Sequence, residues 1–243
     1  MNGFGDAIAA VEMQRKTLEL YSAEADVSTD IVGQFSTRNV RVTSHTLPPR
    51  GDRGFLIVRG PDGEFRGAMG IDHLQAVVSP EIHPPWPLGD PDASESDLLD
   101  FLDNTVFTSY DRRQLLAITR EIEERAWRAN AGRLYVGFQR FEAFTAQAPV
   151  YDRFARDSDV SVRIFVGDGW EAEIDDSVEV VSEAGEEIGQ FWFVLFVDDE
   201  RELNTCGVIA EERTPGQYYG FWTHDIERID AIVSYLDTAY GRG

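Results

Sequence analysis

Three observations on this 243-residue chain predict an α+β fold, a central largely antiparallel sheet flanked by helices, with an N-terminal helix and a hairpin-containing unit ahead of it. Helical and alternating apolar periods follow one another without the regular strand–helix succession that a parallel sheet requires. The last three alternating segments are joined by short polar loops, as in a meander. A block holding Pro80, Pro84, Pro85, Pro87 and Pro91 separates the two halves, because proline at that density continues neither a helix nor a ladder.

Phe4, Ile8, Val11 and Leu18 form one stripe, interrupted by Arg15, and predict a first helix over residues 4–21. A polar stretch over 22–30 follows, then short alternating segments at 40–42, 54–59 and 64–69. Pro61-Asp62-Gly63 predicts a hairpin turn between the last two, since proline presets one turn position and glycine supplies a positive φ. A short helix over 71–78 closes this first unit, residues 1–79. Residues 80–104 read as a connector that includes a helix capped by Ser94 and carrying Leu98, Leu99, Phe101 and Leu102.

Residues 105–243 form the second unit. A helix over 112–129 sets Leu115, Ile118, Ile122 and Ala126 on one face, with Ser109 and Asp111 as cap candidates and Asn130 and Gly132 marking its end. Residues 133–139 are a strand, 146–156 a helix, and 160–166 a strand alternating Val160, Val162, Ile164 and Val166 with Ser161, Arg163 and Phe165. The acidic run over 171–187 is expected to be a mobile insertion. Strands at 191–197, 207–211 and 218–222 follow, then a helix with Ile226, Ile229, Val233, Leu236 and Tyr240 on one stripe.

Charge narrows the function classes. The 44 acidic and 22 basic residues give a net charge of −22, and Lys16 is the one lysine, a balance that resembles proteins of salt-accumulating halophilic archaea. Self-repulsion of such a surface is expected to weaken the fold in dilute salt, since the Debye length shrinks to about 3 Å at molar salt. Arg112-Arg113 and the Arg120, Arg125, Arg128 set are interleaved with Glu121, Glu123 and Glu124, which argues against direct nucleic acid binding and predicts a solvated helix face with Glu121–Arg125 and Glu124–Arg128 pairs. No stretch approaches the roughly 18 apolar residues of a membrane span, and the N-terminus lacks a basic leader with an apolar run, so a soluble, unprocessed, cytoplasmic chain is expected.

Several chemistries lack their residues. Lys16 has no glycine-rich approach, which removes a P-loop, and there is neither HExxH nor CxxC. His45, His73, His83 and His224 are scattered, so no metal site is predicted, and Cys206 alone allows no intramolecular disulfide. No cofactor is assigned.

Four segments in succession carry a family resemblance: Ile118 to Trp127 (ITREIEERAW), Leu134 to Arg140 (LYVGFQR), Gln190 to Asp198 (QFWFVLFVD) with Cys206 and Glu211 to Arg213 beyond it, and Phe221 to Asp225 (FWTHD). Together they resemble the DICT sensory domain over about Val106 to Tyr240. The resemblance implies signal reception without catalysis, a suggested link to light responses, and a transcriptional regulator or two-component signalling protein as partner. At the level of fold, the element order is also similar to small sensor domains of the GAF or PAS kind.

The candidate ligand-binding residues are Trp127, Glu121, Phe138, Gln139, Trp192, Cys206, Trp222 and His224, drawn from the aromatic concentration and its polar neighbours. Trp192, Val194 and Phe196 face one side of their strand while Phe191, Phe193 and Leu195 face the other. One set builds the core; the other meets the chain's own helices, a flat apolar ligand or chromophore, or a partner surface such as a homodimer. Thr223 and Asp225 read as helix caps, His224 alternatively as a switch between pH 5 and 8, and Cys206 as a small buried hydrophobe or a redox sensor. A ligand-free adaptor or dimerisation module, and an enzyme with a convergent polar site, are the alternative functions.

Overall fold

The computed structural model describes residues 1–23, 25–35, 39–49, 53–72, 74, 105–171 and 174–241. The connector expected over 80–104 and its Ser94-capped helix lie outside these, as does most of the helix expected over 71–78, of which Ile71 and Leu74 are helical and buried. The chain divides into two units, Val11–Asp103 and a larger one of Met1–Ala10 with Asn104–Gly243.

Helix α1 (Phe4–Met13) buries the predicted Phe4, Ile8 and Val11 stripe but is half as long as expected. The chain turns at Gln14 and enters strand β1 (Lys16–Ser22), in which Leu18, Leu20 and Ser22 are buried alternately. Leu18 satisfies a helical spacing from Val11 and a strand spacing to Leu20; the strand prevails because Leu18 and Leu20 enter the sheet's core together.

In the smaller unit the sheet order is β2-β1-β3-β4. Helix α2 (Ala25–Phe35) occupies the stretch read as a polar linker and buries Ile31 and Phe35 one turn apart. It is the crossover that lets β2 (Val40–Thr46) pair parallel to β1. Strands β3 (Phe55–Arg59) and β4 (Phe65–Gly70) form the predicted hairpin, with Gly63 at φ 79° and its N–H donating to the Gly60 carbonyl at 3.0 Å.

The larger unit is built on a seven-stranded sheet of order β5-β11-β10-β9-β6-β7-β8. Strand β5 (Thr105–Asp111) runs directly into α3 (Arg112–Ala129), so Ser109 and Asp111, expected as caps, lie instead in an edge strand antiparallel to β11. Helix α3 has the predicted bounds and leads through Asn130 and Gly132, both at positive φ, into β6 (Arg133–Phe138). A short helix α4 (Phe141–Thr145) precedes α5 (Ala148–Asp157) and β7 (Ser161–Val166), which pairs parallel to β6.

The acidic run is not a plain insertion. It contains β8 (Glu179–Val181), an edge strand parallel to β7, and it leads into α6 (Gly185–Gln190). Strands β9 (Phe191–Val197), β10 (Cys206–Thr214) and β11 (Gln217–Thr223) are the antiparallel meander, and α7 (Ile226–Tyr240) ends the fold, its N-cap Asp225 accepting from the Arg228 N–H at 3.2 Å. The sheet is thus antiparallel from β5 to β6 and parallel at its β6-β7-β8 end.

All seven residues of β9 are buried because helices cover both its faces. Trp192, Val194 and Phe196 belong to the core shared with Leu115, Ile122 and Ala126 of α3 and Tyr151 and Phe154 of α5. On the opposite face the Phe4 ring lies 4.7 Å from Phe193 and 5.2 Å from Phe191, beside α7's Tyr235. Glu187 of α6 fixes this arrangement, accepting from the Phe4 N–H at 2.7 Å, from the Tyr240 hydroxyl at 3.1 Å and from the Tyr235 hydroxyl. Gly137 in the Gly-Phe-Gln motif is structural: a Cβ there would sit 2.0 Å from the Phe193 ring lying across β6.

Candidate functional site

Where β6 ends and β9 begins, the sheet and helices leave a cleft of about 660 Å³. That is within the range of small-molecule pockets, about 300–1,000 Å³. Phe138 and Gln139 come from the end of β6, Trp192 from the start of β9, Tyr218 from β11 and Arg112 from the first residue of α3. Arg140, Glu142 and Ala143 line it from the start of α4, and residues 212–215 from the β10–β11 hairpin. The Gln139 side-chain amide donates to the Gln190 carbonyl at 3.1 Å, tying the end of β6 to the start of β9. Trp192 and Tyr218 meet edge to face with centroids 5.8 Å apart.

The charges around this cleft are unequal in their commitments. Arg213 pairs with Glu211 at 2.8 Å and lies over the Tyr219 ring, and Glu212 accepts the Gly216 N–H at 2.8 Å. Arg112 and Arg140 are exposed and form no ion pair among the described residues. Tyr218 lines the cleft although it is only 5% exposed, and its hydroxyl makes no hydrogen bond among the described residues. Burial and the nearby Glu212 raise its pKa, while Arg112 and Arg140, which line the same cleft, act in the opposite direction.

A second cluster occupies the other end of β10 and β11 on the same face of the sheet. Cys206 is fully buried, and burial pushes its thiol up to about 12, so at neutral pH it carries no thiolate for redox or nucleophilic work. Trp222 and His224 lie with ring centroids 5.3 Å apart, and a ring nitrogen of His224 is 3.4 Å from the Thr205 carbonyl. Burial, then the Arg125 charge, lowers the His224 pKa below its ordinary value. Glu121 pairs with Arg125 at 3.2 Å, as its spacing predicts. The Arg125 Nε and Trp222 Nε1 atoms are buried without hydrogen-bond partners among the described residues.

The eight predicted site residues therefore fall in three places. Phe138, Gln139 and Trp192 share the cleft; Glu121, Cys206, Trp222 and His224 share the second cluster. Trp127 lies apart on α3, edge to face with Phe154 and under the Arg153 guanidinium. Glu123, read from sequence as part of a solvated charge set, is buried at 4% exposure. It accepts the Tyr151 hydroxyl at 2.5 Å and pairs with Arg120, and burial nevertheless raises its pKa. Arg112, Arg140 and Tyr218 were not singled out as a group, since only strand pairing and helix docking bring them together from separate parts of the chain.

This architecture is that of a small α+β sensor-type domain. Residues 96–213, a little under half of the chain, match the family model of DICT, a sensory domain in diguanylate cyclases and two-component systems. The match stops before Trp222 and α7, which the sequence resemblance had included. No curated protein matches the chain. A polyphosphate kinase structure from Porphyromonas gingivalis aligns at 10% identity and a TM-score of 0.33, over 95% of this chain and 47% of that one, so the chain spans less than half that protein's length. Among the described residues, no helix is long and apolar enough to cross a membrane, and no three His, Cys, Asp or Glu side chains converge as a metal-binding group.

Proposed function

We propose that this protein is a non-catalytic receptor that takes a small ligand in the Trp192–Tyr218 cleft and passes the signal to a partner protein. The observation that carries this reading is a ligand-sized cleft with an aromatic wall, most of whose lining residues fall within the stretch that matches a sensory domain. The partner would be of the class in which the family is found, a two-component protein or a cyclase-linked regulator.

Strand β9 offers the route from ligand to output. Trp192 faces the cleft, while its neighbours Phe191 and Phe193 hold Phe4 at the start of α1 on the opposite face. A ligand that favours one position of the β9 entrance shifts the population in which Met1–Ala10 is docked, and the released segment is what a partner or second copy reads. Alternation along β9 makes the coupling direct, since adjacent residues of one strand serve the two faces.

Native mass and an absorption spectrum of protein purified in molar salt test the reading. A ligand-heavy or coloured sample is expected, with hydrogen exchange at residues 4–10 changing when the ligand is removed. A clean apo mass, together with exchange at those residues that no cell-extract fraction alters, contradicts it and leaves the ligand-free adaptor.

A further inference from the structure

We infer that the ligand of the cleft is a planar aromatic molecule carrying an oxyanion, its ring against Trp192 and Phe138 and its anionic group held by Arg112, Arg140 and the Tyr218 hydroxyl. This rests on the receptor reading above and adds the chemical class of what is received.

Three features point to an anion, in a protein whose net charge of −22 repels anions from most of its surface. Two guanidinium groups, Arg112 and Arg140, line the cleft together with Tyr218 and have no ion-pair partner among the described residues. Tyr218, 95% buried, lines the same cleft, and its hydroxyl makes no hydrogen bond among the described residues. Arg112 is also the first residue of α3, an 18-residue helix with no acidic side chain in its first turn. A cation there opposes the helix dipole, an arrangement relieved when an anion binds.

Of the carboxylates on the rim, Glu212 is engaged by the Gly216 N–H of the hairpin turn, and Glu142 sits in the first turn of α4, where negative charge is favoured. Trp192, Phe138 and Tyr218 supply the cleft's aromatic wall, with Trp192 and Tyr218 meeting edge to face. Arginine matches carboxylate and phosphate geometry alike, so the shared chemistry is the oxyanion on an aromatic ring.

Competition binding with matched rings tests this on the full chain. The anionic dye 8-anilinonaphthalene-1-sulfonate reports occupancy by fluorescence, and 1-naphthoate, 1-naphthyl phosphate and neutral 1-naphthol compete for it. At least one naphthyl anion should bind about tenfold or more tighter than 1-naphthol, the scale of a charged hydrogen bond. The Arg112→Gln, Arg140→Gln double variant should erase that preference at an unchanged melting temperature, Tyr218→Phe should reduce it, and Ala143→Trp should block every probe by filling the cleft. Preference for naphthoate identifies a carboxylate ligand, preference for naphthyl phosphate a phosphorylated one. If 1-naphthol competes as well as the anions, or the arginine variants change nothing, the anion assignment fails while the cleft stands as a ligand site. If no probe binds in a manner that Ala143→Trp removes, the receptor reading fails with it.

Discussion

The two ends of the β9–β11 meander carry similar side chains and do different things. At one end Phe196, Cys206 and Val208 are fully buried beneath α3, with Trp222 and His224 closing the edge. At the other, Trp192 and Tyr218 border about 660 Å³ of open cleft, with a hydroxyl free of hydrogen bonds and two guanidinium groups free of ion pairs among the described residues. The difference arises from α3, which covers the meander from its middle onward but begins at Arg112 on the cleft's rim. The aromatic surplus therefore borders a cleft only where the covering helix ends, and elsewhere it is core.

Substitutions separate the ends by size of effect. Phe196→Ala at the closed end should lower unfolding stability by about 3–5 kcal/mol, the cost of a large core truncation, measured as a urea midpoint shift at constant slope. Cys206→Ser should cost about 1–3 kcal/mol, because a hydroxyl replaces a thiol in an apolar site, and the native thiol should resist a disulfide reagent at neutral pH. A thiol that reacts as fast folded as unfolded would break the distinction between closed and open ends.

Next is the pH dependence of His224. Its folded pKa is depressed, so the unfolded chain binds the proton more readily, and stability is complete above the unfolded value of about 6.5 and declines as pH falls through the lower folded value. His224→Gln should flatten that decline. The smallest effect belongs to the open end: Tyr218→Phe should change stability by no more than about 0.5 kcal/mol, since its hydroxyl has no hydrogen bond to lose among the described residues, while altering ligand affinity. Across the whole molecule, melting temperature should rise from dilute buffer to molar potassium chloride as the net charge of −22 is screened, and a flat profile would remove the halophilic reading.

Much of the larger unit was legible because its signals are local. The α3 stripe, the unbroken Phe191–Val197 run and the Asp225 cap each depend on residues within a few positions of one another. What failed depended on tertiary context. Leu18 fitted two periods at once, and only its sheet partners decide between them. Glu179–Val181 is three residues long in an acidic run and is a strand only because β7 offers a parallel edge, where Arg163 meets Glu179 at 3.2 Å. Glu123 looks like its neighbours Glu121 and Glu124 in sequence but faces inward to Tyr151. The cleft was half visible: its aromatic wall followed from alternation in β9, whereas the convergence of Arg112, Arg140 and Tyr218 needed the pairing of β5, β11, β10, β9 and β6.

Fluorine NMR of protein labelled with 5-fluorotryptophan measures the contrast between the ends directly, since the chain has five tryptophans and Trp192 and Trp222 report one end each. Assigned by single Trp→Phe substitutions and titrated with 1-naphthoate and 1-naphthyl phosphate, the Trp192 resonance should move saturably with one of them while that of Trp222 stays fixed. A shift at Trp222 with Trp192 unmoved would place the site at the end described here as closed and contradict the account.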